Sequence, residues 1–334
     1  MDDYKVISLA TLCALIVLCI YSFIPKHQEI RSVAYLSKES VHDQTWGTEG
    51  YKGILNIIQT YDANFFILEN LKSDKAVMDT IRQFAERDVN IIYGQSSEFE
   101  SVFNLAAVKY PKMHFVFLNG ESRAKNVSSL NIEGYAMGFF GGMLAAHESK
   151  TKVLGIIGAF KGQPEIDGFI DGAHYEEKSA KVKTKYIKTW GYNGDAQACT
   201  IGLIDKEHAD VIYPAADGTN RDVMEIVKAR NKKAIGYISD QSYLGDFVIG
   251  STTQNISKLY LDIADDYYEQ RLKGGTQKYG MKNNITDLKI SKSVDEVYVK
   301  KLKTDIQRFK VTGILPNKKL PPTYQHGAYL IKAS

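Results

Sequence analysis

Short apolar runs of strand length alternate with amphipathic helical stretches from Val33 onward, and few architectures accept that rhythm. In the first half the runs are Val33 to Leu36, Phe65 to Leu68, Val89 to Tyr93, His114 to Leu118 and Val127 to Ile132. Between them, Val77, Ile81 and Phe84 mark a helix with Ser73 as its cap. Phe99, Val102, Phe103 and Ala106 mark another, which Pro111 stops. Such βαβ alternation implies a parallel sheet with helices on both faces.

A second set repeats the logic with Val153 to Ile157, Val182 to Ile187, Val211 to Pro214, Ala234 to Ile238 and Phe247 to Thr252. Its helices start at Pro164, Asp195, Arg221 and Ile256. The expectation is an α/β fold of two doubly wound parallel-sheet lobes whose strand carboxyl ends face each other across a cleft. The first lobe should span 32–150 plus about 255–283, the second 151–254 plus about 284–317, with 318–334 as a tail. Gly134, Gly138 and Gly142 fall four apart on a helix from Glu133 to about Glu148, so one ridge lacks side chains and suits close internal packing.

Residues 1–31 are of another kind. From Val6 to Ile24 there are 19 residues without a charge, enough helix to cross about 30 Å of hydrocarbon. Cys13 and Cys19 each follow a Leu, not the small residue of a lipoprotein signal, and no small-x-small cleavage site follows, so an uncleaved membrane anchor is expected. Asp2, Asp3 and Lys5 before the run and Lys26 and Arg31 after it leave the orientation unsignalled by charge. The formal net charge is +3 and no basic helix or helix-turn-helix pattern stands out, which argues against direct nucleic-acid binding. Cys199, alone in the globular part, reads as core filler.

The stretch Ser40 to Gly53 is a strand-to-helix turn at the ligand-binding edge of such a sheet. Asp43 suits a helix cap there, and Trp46 offers a flat face to a planar ligand. Other strand ends carry Ser96 to Glu98, Asn119, Gln163 and Phe169, Trp190, Asp217, and Ser239 to Gln241, a mixture of rings and hydrogen-bonding groups. Taken singly, each is equally a loop cap or a turn residue. Nucleophile elbow, zincin, P-loop and dinucleotide motifs are all missing, so an enzyme is not expected, nor is a metal or cofactor.

At these residues the chain resembles the basic membrane protein family, the PnrA-like nucleoside-binding lipoproteins of bacterial uptake systems. The resemblance runs through Asp43-Gln-Thr-Trp46, in place of the family's Asp-Lys-Ser-Phe, and Tyr110-Pro-Lys-Met-His-Phe115. It continues in Glu133-Gly-Tyr-Ala-Met-Gly138, Pro164-Glu-Ile-Asp-Gly-Phe169, Ala234-Ile-Gly-Tyr-Ile-Ser-Asp240-Gln241 and Ser251-Thr-Thr-Gln254-Asn255. It implies a type I periplasmic-binding-protein fold, an extracytoplasmic location, and a purine nucleoside or a relative held between two rings, here Trp46 and Phe169. Asp43, Asn119, Asp217, Asp240 and Gln254 would supply hydrogen bonds. Gly47, Asn119, Ile238 and Gln254 replace the family's Asn, Asp, Asp and Lys, and each lost buried hydrogen bond costs about 1–3 kcal/mol, so an altered ligand is expected.

One branch of the family, membrane-associated positive regulators of competence in bacilli described as transcriptional activators, is similar also in Trp46-Gly-Thr-Glu-Gly-Tyr-Lys-Gly53 and Gly138-Phe-Phe-Gly-Gly-Met-Leu-Ala-Ala-His147. The resemblance therefore implies a regulator with a signalling partner. The alternatives are the substrate-binding component of an ABC-type nucleoside transporter, with a permease as partner, and, with less support, an enzyme acting on nucleosides.

Overall fold

The computed structural model describes residues 27–38, 41–42, 46–71 and 73–323. The apolar run Val6 to Ile24 and Asp43 lie outside the described residues. All ten strands read from the alternation are present. In the first lobe the order along the chain is β1 (Ser32–Leu36), α1 (Trp46–Tyr61), β2 (Asn64–Leu68), α2 (Asp74–Ala85), β3 (Ile91–Gly94), α3 (Glu100–Lys109), β4 (His114–Leu118) and β5 (Val127–Ile132). The second contains α4 (Tyr135–Glu148), β6 (Val153–Gly158), α5 (Pro164–Glu176), β7 (Lys181–Tyr186), α6 (Asp195–Asp205), β8 (Val211–Ala215), α7 (Asn220–Ala229), β9 (Lys233–Ile238) and β10 (Val248–Gln254). The chain then returns through α8 (Ile256–Tyr268) and β11 (Gly275–Tyr279) and finishes with β12 (Thr286–Ile290) and α9 (Glu296–Thr312).

Two six-stranded sheets result, ordered β2-β1-β3-β4-β5-β11 and β7-β6-β8-β9-β10-β12. Within each, the first five strands run in the doubly wound order 2-1-3-4-5 and are parallel. β11 adds parallel to β5. β12, a strand that the alternation did not include, adds antiparallel to β10 at the edge of the second sheet. Each sheet is covered twice: α1 and α8 lie on one face of the first and α2 and α3 on the other. On the second sheet α4, α5 and α9 form one layer, with α6 and α7 opposite.

The pairing of α4 with α5 explains the glycine ridge. A Cβ at Gly138 would stand 2.0 Å from the Glu165 carbonyl oxygen, and one at Gly142 would stand 2.0 Å from that of Phe169. From the other side, Gly168 meets the Tyr135 carbonyl and Gly172 that of Phe139. Two glycine ridges thus bring backbone against backbone, and only residues without side chains fit. This contact binds α4 to the second lobe, although the alternation assigned it to the first. The crossing therefore falls at Glu133 and Gly134, and not near residue 150.

Candidate ligand-binding cleft

Three segments join the lobes: Glu133 to Gly134, Asn255, and Gly280 to Ile285. They are stitched together where Glu133 N donates to the Tyr279 carbonyl (2.8 Å) and Asn255 N to that of Ile285 (2.7 Å). All leave from the carboxyl ends of parallel strands, so the lobes turn those edges toward each other, the arrangement in which open α/β sheets bind ligands.

On the first lobe, Trp46 opens α1 directly after β1. Its indole Nε1 donates to the Gln95 carbonyl (2.7 Å), and the Gln95 amide returns a bond to the Trp46 carbonyl (2.7 Å). Tyr260 OH donates to Gln95 Oε1 (2.5 Å), and Gly50 leaves the space in which that amide lies. The ring is thereby fixed in orientation. It is half-buried, and among the described aromatic residues it alone packs against hydrophobic cores of both lobes. Asn119 follows β4 with a left-handed φ of 61° and accepts from Ile132 N through its side chain (2.9 Å), joining the ends of β4 and β5.

The opposing edge differs from the expectation. The Phe169 ring has no exposed surface and lies parallel to Tyr213 at 4.8 Å, deep between α5 and the sheet. It is a core residue, because the glycine contact draws α5 onto α4 and turns this face of the helix inward. The ring that stands at the edge is Trp190, half-buried beside Phe160 at 5.8 Å. Its carbonyl accepts from Gly218 N (2.8 Å), which sets Trp190 next to Asp217, the residue that follows β8 by two positions. Asp240 is exposed and accepts from Ser242 N (3.0 Å) as the cap of a short turn. Gln254 closes β10; it is 6% exposed, and its Oε1 receives no hydrogen bond from a described residue.

Glu165, one turn before Phe169, is a polar group that sequence reasoning passed over. It is 6% exposed, and its Oε1 accepts from Gln163 Nε2 (2.9 Å) and Tyr237 OH (2.9 Å). Burial raises its carboxyl above the ordinary range against the lowering effect of those donors, and burial together with Glu165 holds the Tyr237 phenol well above its usual value. A carboxylate four residues before a core Phe lies on the buried helix face, the one signal that could have singled it out. Gln95 had no comparable signal.

Among the described residues no group of His, Cys, Asp and Glu is placed to hold a metal ion. A concavity of about 970 Å³ lies on α9 and the end of β12, lined by Ile290, Val294, Val299 and Lys303 among others. None of the expected site residues lines it.

Two doubly wound lobes joined by three crossovers, with rings and amides along their facing edges, define a periplasmic-binding-protein-like fold. Residues 30–319 match the Bmp family, described as ABC transporter substrate-binding protein PnrA-like, and the chain belongs to that family, whose members bind or regulate and are not enzymes. It is similar to the transcriptional activator protein med of Bacillus subtilis (strain 168), 40% identical over 297 residues that cover 87% of this chain and 92% of the relative. It is similar in structure to a transcriptional activator of the comK gene from Bacillus halodurans, with a TM-score of 0.79 and 34% identity over 85% of this chain and 99% of the other. The ABC transporter nucleoside-binding protein BmpA of Lactococcus lactis subsp. cremoris (strain MG1363) is 25% identical, over 80% of this chain and 81% of the relative.

Proposed function

We propose that the chain is a membrane-anchored, extracytoplasmic receptor for a nucleoside-like ligand, with a Med-like role as a positive regulator of competence. The observation that carries the binding part is Trp46, a half-exposed ring held by two reciprocal bonds to Gln95 where the lobes meet. A planar base would stack on Trp46 from the first lobe and on Trp190 from the second, with Asp43, Asn119, Asp217, Asp240 and Gln254 as the polar surround. The similarity to two activators supports the regulatory part. Since a net charge of +3 and a fold without a compact helical domain among the described residues offer little to DNA, the signal would pass through a protein partner.

The test is thermal unfolding of the full chain against a panel of nucleosides, bases and related metabolites. A ligand at a hundred times its Kd adds about 2.7 kcal/mol, a visible rise in midpoint, and Trp46→Ala should remove it. No rise with any compound would overturn the receptor reading. The similarity to the Lactococcus nucleoside-binding protein favours a second reading, the binding component of an ABC importer, which requires loss of labelled-nucleoside uptake when the chain is deleted.

A further inference from the structure

Residues 27–31, the first described part of the chain, lie flat on the amino-terminal edge of the first sheet, the end opposite the cleft. The His27 ring stacks on Tyr268 at 4.4 Å, Gln28 N donates to the Tyr268 carbonyl (2.7 Å), and the Gln28 amide donates to Tyr267 OH. Ile30 is buried, and Arg31 N donates to Asn90 Oδ1 (2.6 Å). The uncharged run ends at Ile24, and three peptide steps from there to His27 reach at most about 11 Å.

The loops that share this edge are unevenly charged. Lys109, Lys112, Lys125 and Lys273 are exposed beneath β4, β5 and β11, and none forms an ion pair with a described residue. The Asn126 amide draws two of these loops together by donating to the carbonyls of Ala107, Tyr110 and Met113. Carboxylates gather toward the other half of the edge, where Glu29 and Asp88 close on Arg31. Glu269 closes on Arg271, while Asp62 and Glu86 stand beside β2 and β3. Next to Lys109 on α3, Val108 is 79% exposed and Leu105 61%. Lysines flanked by exposed aliphatic side chains are suited to the border of an anionic bilayer.

We propose that this end of the first lobe rests on anionic lipid headgroups, with Lys109, Lys112, Lys125 and Lys273 at the interface and the second lobe carried away from the bilayer. The inference rests on the reading of the N-terminal run as an anchor. A tether that reaches at most about 11 Å is comparable with the screening length of about 8 Å at physiological salt, so it would hold the lysines where the surface potential still acts.

The test uses the full chain in nanodiscs of pure phosphatidylcholine and in discs with equal parts phosphatidylglycerol, with lysine acetylation rates read by mass spectrometry. The four lysines should label about threefold or more slowly in the anionic discs, with the difference lost at high salt, while Lys178 and Lys206 on the second lobe are unchanged. Equal rates in the two discs overturn the proposal and leave the anchor standing, and so does equal slowing in detergent micelles, which would mean that protein covers the face. A chain that does not co-elute with discs overturns the anchor, and the proposal with it.

Discussion

The first lobe meets its neighbour with an aromatic ring and neutral amides, whereas the second sinks its expected ring into the core and leaves a buried carboxyl behind its edge. Strand order is the same in both. The helices that cover the sheets make the difference. In the first lobe α1 and α8 meet at one close glycine, Gly53 against Tyr260, and Trp46 stays at the end of its helix facing outward. In the second, four glycines bring α4 and α5 into backbone contact, and Phe169 is drawn inward against Tyr213. Two aromatic residues expected to face each other across the cleft thus have opposite fates, and the closeness of the neighbouring helix decides which.

The sharpest way to break this contrast is to remove each ring. Phe169→Ala should cost about 3–5 kcal/mol in a denaturant unfolding series, because it empties a fully buried site. Trp46→Ala, at a half-exposed site, should cost less than half as much. Equal losses would contradict the assignment of one ring to the core and the other to the edge.

Acid sharpens the comparison, since one buried group in each lobe titrates in a sense opposite to the other. His114, buried in the first lobe against Ser128, is lowered by burial from 6.5 to about 4. Below pH 6.5 the unfolded chain takes a proton that the folded one refuses, so stability falls by roughly 3 kcal/mol as pH drops to 4. His114→Gln should flatten that slope. The raised carboxyl of Glu165 acts the other way: the folded chain keeps its proton longer, so its contribution is lost as pH rises above the ordinary carboxylate range. Glu165→Gln should remove that loss, and a pH–stability profile unaltered by either change would contradict the burial of these groups.

The glycine contact gives a smaller effect with an internal control. Gly142→Ala should cost about 1–3 kcal/mol, since its Cβ would meet the Phe169 carbonyl, while Gly194→Ala, with open space around it, should stay within about 1 kcal/mol of the parent in thermal unfolding.

Much of this architecture was legible because it is local. Apolar runs bounded by Ser73, Pro111 and Pro164 mark strands and helices by period and punctuation, and a ridge of Gly134, Gly138 and Gly142 announces a close neighbour without naming it. The neighbour, α5 with Gly168 and Gly172, is a tertiary fact, and so is the lobe to which α4 belongs. The antiparallel course of β12 depends on how the chain returns across the crossovers, which period alone does not encode. At the cleft, Trp46 was legible as the first residue of a helix after a strand. Phe169 was misread because an aromatic residue in the second turn of α5 faces the edge or the core according to helix rotation. Gln95 holds the Trp46 ring through contacts spanning 49 and 165 residues of sequence, beyond the reach of any local pattern.

The central claim is that a ligand is held between Trp46 on one lobe and Trp190 on the other, and these are the only two tryptophans in the chain. Intrinsic fluorescence therefore reads the two edges separately in Trp190→Phe and Trp46→Phe variants titrated with whichever compound raises the unfolding midpoint of the parent. The account predicts that this compound changes the emission of both variants. Emission that stays constant in either one, while the same compound still raises its midpoint, would contradict it.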